Sequence, residues 1–281
     1  MKISVSMLST YLFCSRKLFL QQVLELEEPP KESLILGSIR HEIFDYINKT
    51  EEKIVSSIIE KTQHENLIEI YKNNYIQKTR EVIIKNKPRI REVSLDIIEA
   101  FRRTWPSILE EANTRAKNIF DFITKNNIYG KELWEKLTPK IVSEFKIDSD
   151  SLQLKGIIDR LEIHENNYLP IEFKTGKMPK EGVWPGHRIQ VAAYALLLEE
   201  KFKTNINHGI INYLDSKETR RVTINPFMKD EIKTLVEEIQ KLIKNKEIPG
   251  YCDNKNKCFN CGLKDTCYNE NKVSVLMSEI H

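Results

Sequence analysis

The 281-residue sequence has no long apolar run. Its opening, MKISVSMLSTYLFCSRKLFLQQ, holds nothing of the length a signal peptide or membrane span needs, so a cytoplasmic protein with no membrane partner is expected. Charge of one sign is lacking too. Lys and Arg number 44 against 41 Asp and Glu, and a net +3 announces no nucleic-acid partner by itself. There is no G-x-x-x-x-G-K-S/T phosphate loop, which excludes a P-loop motor. Internal repeats and low-complexity linkers are also missing, which excludes a solenoid or a string of tethered modules.

What is present fits a globular chain with a real core: 40% hydrophobic and 30% charged residues. Five cysteines stand out, because an intracellular setting disfavours disulfides and invites a metal or redox explanation.

Periodicity divides the chain. Ser6 or Ser9 is expected to cap a first helix through YLFCSRKLFLQQVLEL, ended by Pro29 and Pro30. LILGSIRHEIFDYINK has helical spacing, and residues 51–127 read as helix broken near Pro88 and at Pro106. Three strand-like stretches follow, PKIVSEFKIDSD, SLQLKGIIDRLEIHENN and YLPIEFKTG. HRIQVAAYALLLEEKF reads as a helix, NHGIINYLDS and TRRVTINP as strands, and PFMKDEIKTLVEEIQKLIKNK as a closing helix. The cysteine-rich tail looks too irregular for a regular element. The expected class is α/β, helical segments ahead of a mixed central sheet flanked by helices.

Two of these strands carry chemistry. Asp159 shares a strand face with Ile157, Leu161 and Ile163, where a lone carboxylate is costly to bury without a cation or hydrogen-bond donors. In PIEFKTG, Glu172 and Lys174 share one face, and Ile171 and Phe173 the other. Two carboxylates from adjacent strands suit Mg²⁺ or Mn²⁺, and a lysine beside them suits phosphodiester hydrolysis. Spacing alone favours a structural ion pair between Glu172 and Lys174, with Asp159 pairing Arg160 or Arg188. His41 alone reads as an ordinary helix histidine, and Gln190 and Tyr194, four apart on one helix face, as surface and core.

Taken in order, these residues resemble the RecB-like branch of the PD-(D/E)XK nucleases. Gly37-Ser-Ile-Arg-His41 resembles its early G-x-x-x-H, GIIDR its aspartate strand, EFKTG its E-x-K strand, and QVAAYALLL its helix with Gln and Tyr. The resemblance implies a divalent metal on His41, Asp159, Glu172 and the backbone carbonyl of Phe173. It makes Lys174 the catalytic lysine, with Gln190 and Tyr194 supporting the site or the DNA strand.

Cys258-x-x-Cys261 followed by Cys267 signals a metal centre. Spacing favours Cys252 as the fourth ligand of a local zinc knuckle. The resemblance favours Cys14, since Cys14-Ser-Arg-Lys-Leu-Phe-Leu and C-x-x-C-x₅-C are similar to the iron–sulfur subgroup of RecB-like nucleases, with Ser15 where proline is common. That implies a [4Fe–4S] cluster on Cys14, Cys258, Cys261 and Cys267, leaving Cys252 without a role.

The resemblance is strongest to the CRISPR-associated RecB-like exonucleases. It implies cleavage of single-stranded or overhang DNA, 5′ to 3′ favoured, in prespacer trimming with the CRISPR integrase. A repair nuclease outside CRISPR and an idle DNA-binding scaffold are the rivals. The expected organisation has N-terminal helices over 1–50, a helical insertion over 51–138, a nuclease core over 139–248 and a cluster segment over 249–281. Within the insertion, Lys72, Lys78, Arg80, Lys85, Lys87, Arg89 and Arg91, near Tyr71, Tyr75, Phe101 and Trp105, read either as a DNA channel or as a solvated helix face.

Overall fold

The computed structural model describes residues 1–165 and 167–280. The protein is α/β, with a mixed sheet flanked by helices, and it divides into two compact units. One comprises Met1–Pro29, Lys146–Ile157 and Lys177–His281, the other Pro30–Phe145 and Ile158–Gly176. Strands β2 (Lys140–Ser149) and β3 (Leu154–Ile163), which pair with each other, contribute residues to both units.

The first unit begins with β1 (Ile3–Ser4), parallel to β3 with Ile3 opposite Leu154. Helix α1 (Val5–Phe13) is capped by Ser4, whose hydroxyl accepts from Met7 N–H, rather than by Ser6 or Ser9. The expected single helix is broken at Cys14. That residue is extended (φ −168°, ψ 116°), ends α1, and caps α2 (Ser15–Gln22) with its own sulfur. Helix α8 (Pro185–Phe202) crosses α1 so closely that a side chain at Gly186 would collide with Ser9. Strands β5 (His208–Tyr213) and β6 (Glu218–Thr223) form an antiparallel hairpin, His208 opposite Thr223, before α9 (Pro226–Asn245). The tail has more order than its composition predicts: α10 (Lys255–Phe259), α11 (Lys264–Cys267) and α12 (Glu270–Glu279). Leu263, Leu276, Met277 and Ile280 pack with Phe19, Leu20 and Leu24 of the N-terminal segment, and this apolar contact orders the tail.

The second unit is mainly helical: α3 (Glu32–Ser56), α4 (His64–Lys85), α5 (Lys87–Glu92), α6 (Ile97–Asn126) and α7 (Gly130–Lys136). Pro88 starts α5 as expected, but Pro106 lies inside an unbroken α6. A proline there disturbs the preceding turn's carbonyls, and Arg40 of α3 donates to the carbonyl of Arg103 at 2.9 Å. Ile39, Ile43, Ile47, Tyr71, Tyr75, Ile108, Ala112 and Ile119 form its core, each fully buried. Strand β4 (Tyr168–Lys174) pairs antiparallel with β3, Arg160 opposite Ile171 and Ile163 opposite Tyr168.

Candidate active site

The β3–β4 ladder ends at the pair Arg160–Ile171. One residue further, the same register sets Asp159 opposite Glu172, and the amide of Phe173, released from the ladder, donates to Asp159 Oδ2 at 2.6 Å. Both carboxylates are buried, 6% and 5% exposed. Lys174 Nζ lies 2.6 Å from Glu172 Oε1, whereas Glu172 Oε2 is buried without a hydrogen-bond partner among the described residues. An orphaned carboxylate oxygen beside a second carboxylate is an arrangement that a cation satisfies.

Helix α3 brings His41, with Nδ1 at 3.9 Å from Asp159 Oδ1. The same nitrogen donates to Glu144 Oε1 of β2 at 2.7 Å. His41, Glu144 and Asp159 thus offer three ligand atoms within 4.8 Å of one another. Sequence reading missed Glu144. By strand alternation it stands beside inward-facing Ser143, indistinguishable from a solvated glutamate. Its signal is conformational: φ is +52°, a left-handed strand residue, which non-glycine side chains adopt at a cost of about 1 kcal/mol or more.

The electrostatics follow from burial and crowding. The Glu144 hydrogen bond raises the His41 imidazole to about 9, aided by Glu144, Asp159 and Glu172 charges against desolvation. Burial raises Asp159, and burial followed by the Asp159 charge raises Glu172. A metal-free site therefore holds protons that an incoming cation expels. Of the structural ion-pair reading, the Glu172–Lys174 pair is present, whereas among the described residues Arg160 pairs with Glu111, and Arg188 with Glu231 at 3.6 Å, rather than with Asp159.

Gln190 and Tyr194 lie on α8 in the other unit, 6% and 4% exposed. Tyr194 covers Gly156 of β3, where an added Cβ would sit 2.7 Å from the tyrosine ring.

A second constellation occupies the first unit. All five cysteines line one cavity with Phe13, Arg16, Lys17, Tyr251, Lys257, Lys264 and Tyr268. Cys14 Sγ accepts from Lys17 N–H at 3.4 Å, and Arg16 Nε donates to Cys267 Sγ at 3.3 Å. Tyr268 Oη donates to Cys258 Sγ at 3.8 Å. Burial raises the Cys14 and Cys258 thiols. The thiols and the cations around them fit an anionic, thiolate-bound metal centre.

The basic stretch is less open than expected. Lys72 pairs with Glu69, Lys78 with Glu81 and Lys85 with Glu42. Arg89 reaches Ser38 and Asn86, and Arg80 and Arg91 are exposed. Tyr71 and Tyr75 are core residues with 0% exposure, so neither can stack a base, and Phe101 and Trp105 stack on each other against the core.

The PD-(D/E)XK nuclease superfamily model matches residues 2–268. The chain belongs to this superfamily. The chain is 29% identical over 158 residues to a CRISPR-associated exonuclease Cas4/endonuclease Cas1 fusion of Leptospira interrogans, covering 53% of this chain and 29% of that protein. It is 28% identical over 126 residues to a CRISPR-associated exonuclease Cas4 of Rhodospirillum rubrum, covering 44% of this chain and 38% of that one. Its match to the DNA replication ATP-dependent helicase/nuclease JHS1 of Arabidopsis thaliana, 24% identical, covers 90% of this chain and 19% of the relative. The chain thus spans less than half the length of each of these relatives. None of its described helices is long and apolar enough to cross a membrane.

Proposed function

We propose that this nuclease is a divalent-metal-dependent deoxyribonuclease that shortens single-stranded or overhanging DNA, with 5′ to 3′ polarity favoured. The observation that carries the reading is the buried Asp159–Glu172 pair, flanked by His41 and Lys174, in which Glu172 Oε2 has no hydrogen-bond partner among the described residues and Arg160 beside Asp159 is paired with Glu111 instead. His41, Asp159, Glu172 and the Phe173 carbonyl would hold Mg²⁺ or Mn²⁺. Glu144 is the additional carboxylate on His41. When bound, the cation supplies Lewis-acid polarisation of the phosphate and an activated water. Lys174, beside Glu172, would neutralise charge developing on the scissile phosphate. Asp159 is held in its ligating orientation by the Phe173 amide. Gln190 and Tyr194 support the DNA strand or the strand β3 beneath it.

The cavity of thiols would hold a [4Fe–4S] cluster on Cys14, Cys258, Cys261 and Cys267, joining the N-terminal helices to the tail. The names of the Leptospira and Myxococcus xanthus relatives, both fusions with an endonuclease Cas1, support prespacer trimming beside a CRISPR integrase in the cytoplasm. A replication or repair role is the second reading, favoured by the JHS1 match over most of the chain. We extend the proposal to the organisation: helices over 1–50, an insertion over 51–138 whose exposed Arg80 and Arg91 contact DNA, a core over 139–248 and a cluster segment over 249–281.

The test is degradation of 5′- and 3′-labelled single-stranded DNA by anaerobically purified protein with Mg²⁺, Mn²⁺ or chelator, beside Lys174→Ala. Metal-dependent shortening that disappears in the variant is expected, and the label released first gives polarity. No cleavage by folded, metal-loaded protein would overturn the enzyme reading in favour of a scaffold.

A further inference from the structure

Behind the site lies a buried charged assembly that the proposed chemistry does not use. Arg115 of α6 is 1% exposed and Glu111, one turn earlier, 0%. Arg115 pairs with Glu111 at 2.7 Å and with Glu51 of α3 at 3.0 Å. Its guanidinium also donates to the Ile141 carbonyl at 3.2 Å and to Ser143 Oγ at 3.0 Å, both on β2. Glu111 reaches onward to Arg160 of β3. The Arg160 guanidinium lies 5.0 Å from the centre of the Phe173 ring on β4, and that ring lies 5.6 Å from Phe44 of α3.

Each member borders a residue of the site. Ser143 precedes Glu144, Arg160 follows Asp159, and Phe173 follows Glu172. Phe44 lies three residues beyond His41 on α3. Successive strand residues face opposite sides. Fixing Arg160 and Phe173 on the back face therefore fixes Asp159 and Glu172 on the front, and holding Ser143 anchors the backbone that leads into Glu144. A network kept only for stability has little reason to be ionic, because apolar residues of like volume often stabilise as well or better. Its placement behind every strand that carries a site carboxylate calls for a geometric role.

We propose that Glu111 and Arg160 are positioning residues of the metal site, through which the helical segment braces β2, β3 and β4 in the register that cation binding needs. The inference rests on the metal-site reading above and goes beyond it by giving the segment a task other than holding DNA. Outer partners of metal ligands are typically worth about 10–100-fold in affinity.

The test is Mn²⁺ binding by titration calorimetry and by loss of the free-ion electron paramagnetic resonance signal, on protein whose fold is checked by circular dichroism. Glu111→Gln alone takes the carboxylate from the buried Arg160 guanidinium and leaves Arg115 only Glu51, and so risks unfolding. The decisive variant is therefore the pair Glu111→Leu with Arg160→Met, which removes both charges at similar volume. We expect it to remain folded, to bind single-stranded DNA in chelator like wild type, and to bind Mn²⁺ at least about tenfold more weakly. Wild-type Mn²⁺ affinity in the folded pair would overturn the proposal. If the pair does not fold, Arg160→Lys, which keeps the charge but loses the planar guanidinium over Phe173, is read in the same way: a weakened affinity supports the brace, and an unmoved one overturns it. Failure of the underlying reading is separately visible. Wild-type protein would then bind no Mn²⁺, or Asp159→Ala would leave binding unchanged, and the brace would fall with the site.

Discussion

Metal binding at this site should release protons, and Glu144 should set how many. In the metal-free protein the His41 imidazole titrates at about 9, chiefly because it donates to Glu144 Oε1 at 2.7 Å. A cation needs the neutral ring, so below that value its apparent affinity should rise with pH, by up to tenfold per unit for each proton expelled. At pH 7 the full gap of about two units is roughly a hundredfold penalty. The ring is 54% exposed, so water screens the pair, and a penalty nearer tenfold is expected. Glu172, raised by burial and by the charge of Asp159, adds to the slope in the same direction. Glu144→Gln removes the leading cause and returns His41 toward 6.5. Calorimetric titration with Mn²⁺ in buffers of different ionisation heat counts the protons directly. Between pH 7 and 8 the variant should release about one fewer than wild type. Equal proton counts in the two proteins would refute the reasoning, because either His41 is not displaced by the metal or Glu144 does not hold its proton.

Other outcomes follow from the same geometry. Lys174→Ala should lower the rate of single-strand cleavage by about 10²–10³-fold with DNA binding retained, measured by single-turnover kinetics; a variant as fast as wild type would remove Lys174 from the chemistry. Cys14→Ser should lose most iron and visible absorbance in anaerobic preparations, whereas Cys252→Ser should keep both; the reverse result would make Cys252 the fourth ligand. Gly156→Ala should destabilise by about 1–3 kcal/mol in thermal or denaturant unfolding, since its methyl would meet the Tyr194 ring, and Tyr194→Phe should not relieve it. Tyr71→Phe, which strips the buried Glu51 carboxylate of a 2.8 Å hydrogen bond, should cost about 1–3 kcal/mol by denaturant unfolding.

The strands and the pairing of Asp159 with Glu172 were legible because their signals are local. GIIDR and EFKTG each carry an alternation and a charged residue that alternation makes expensive, and the structure sets Asp159 and Glu172 opposite each other as that predicts. What escaped depends on partners distant in sequence. Pro106 reads as a helix end until Arg40 takes the carbonyl of Arg103. The tail reads as coil until Leu276 and Met277 meet Phe19 and Leu20. Tyr71 and Tyr75, adjacent to basic residues in sequence, point instead toward the Glu51 and Arg115 charges in the core. Glu144 was hidden because a left-handed backbone angle inside a strand leaves no mark on residue type.

The break at Cys14 has a consequence for how the chain is made. The thiol sits at the start of α2, in the same cavity as four cysteines that follow from Cys252 onward. During synthesis Cys14 leaves the ribosome about 240 residues before its partners, a wait of roughly 10–50 s at about 5–20 residues per second. For that interval the first two helices have neither the tail's leucines nor its sulfurs to pack against. Until residues 252–280 have emerged, a nascent chain thus leaves Cys14, Phe19 and Leu20 without these packing partners, and a truncation before Cys252 should do its damage more than two hundred residues upstream of the cut.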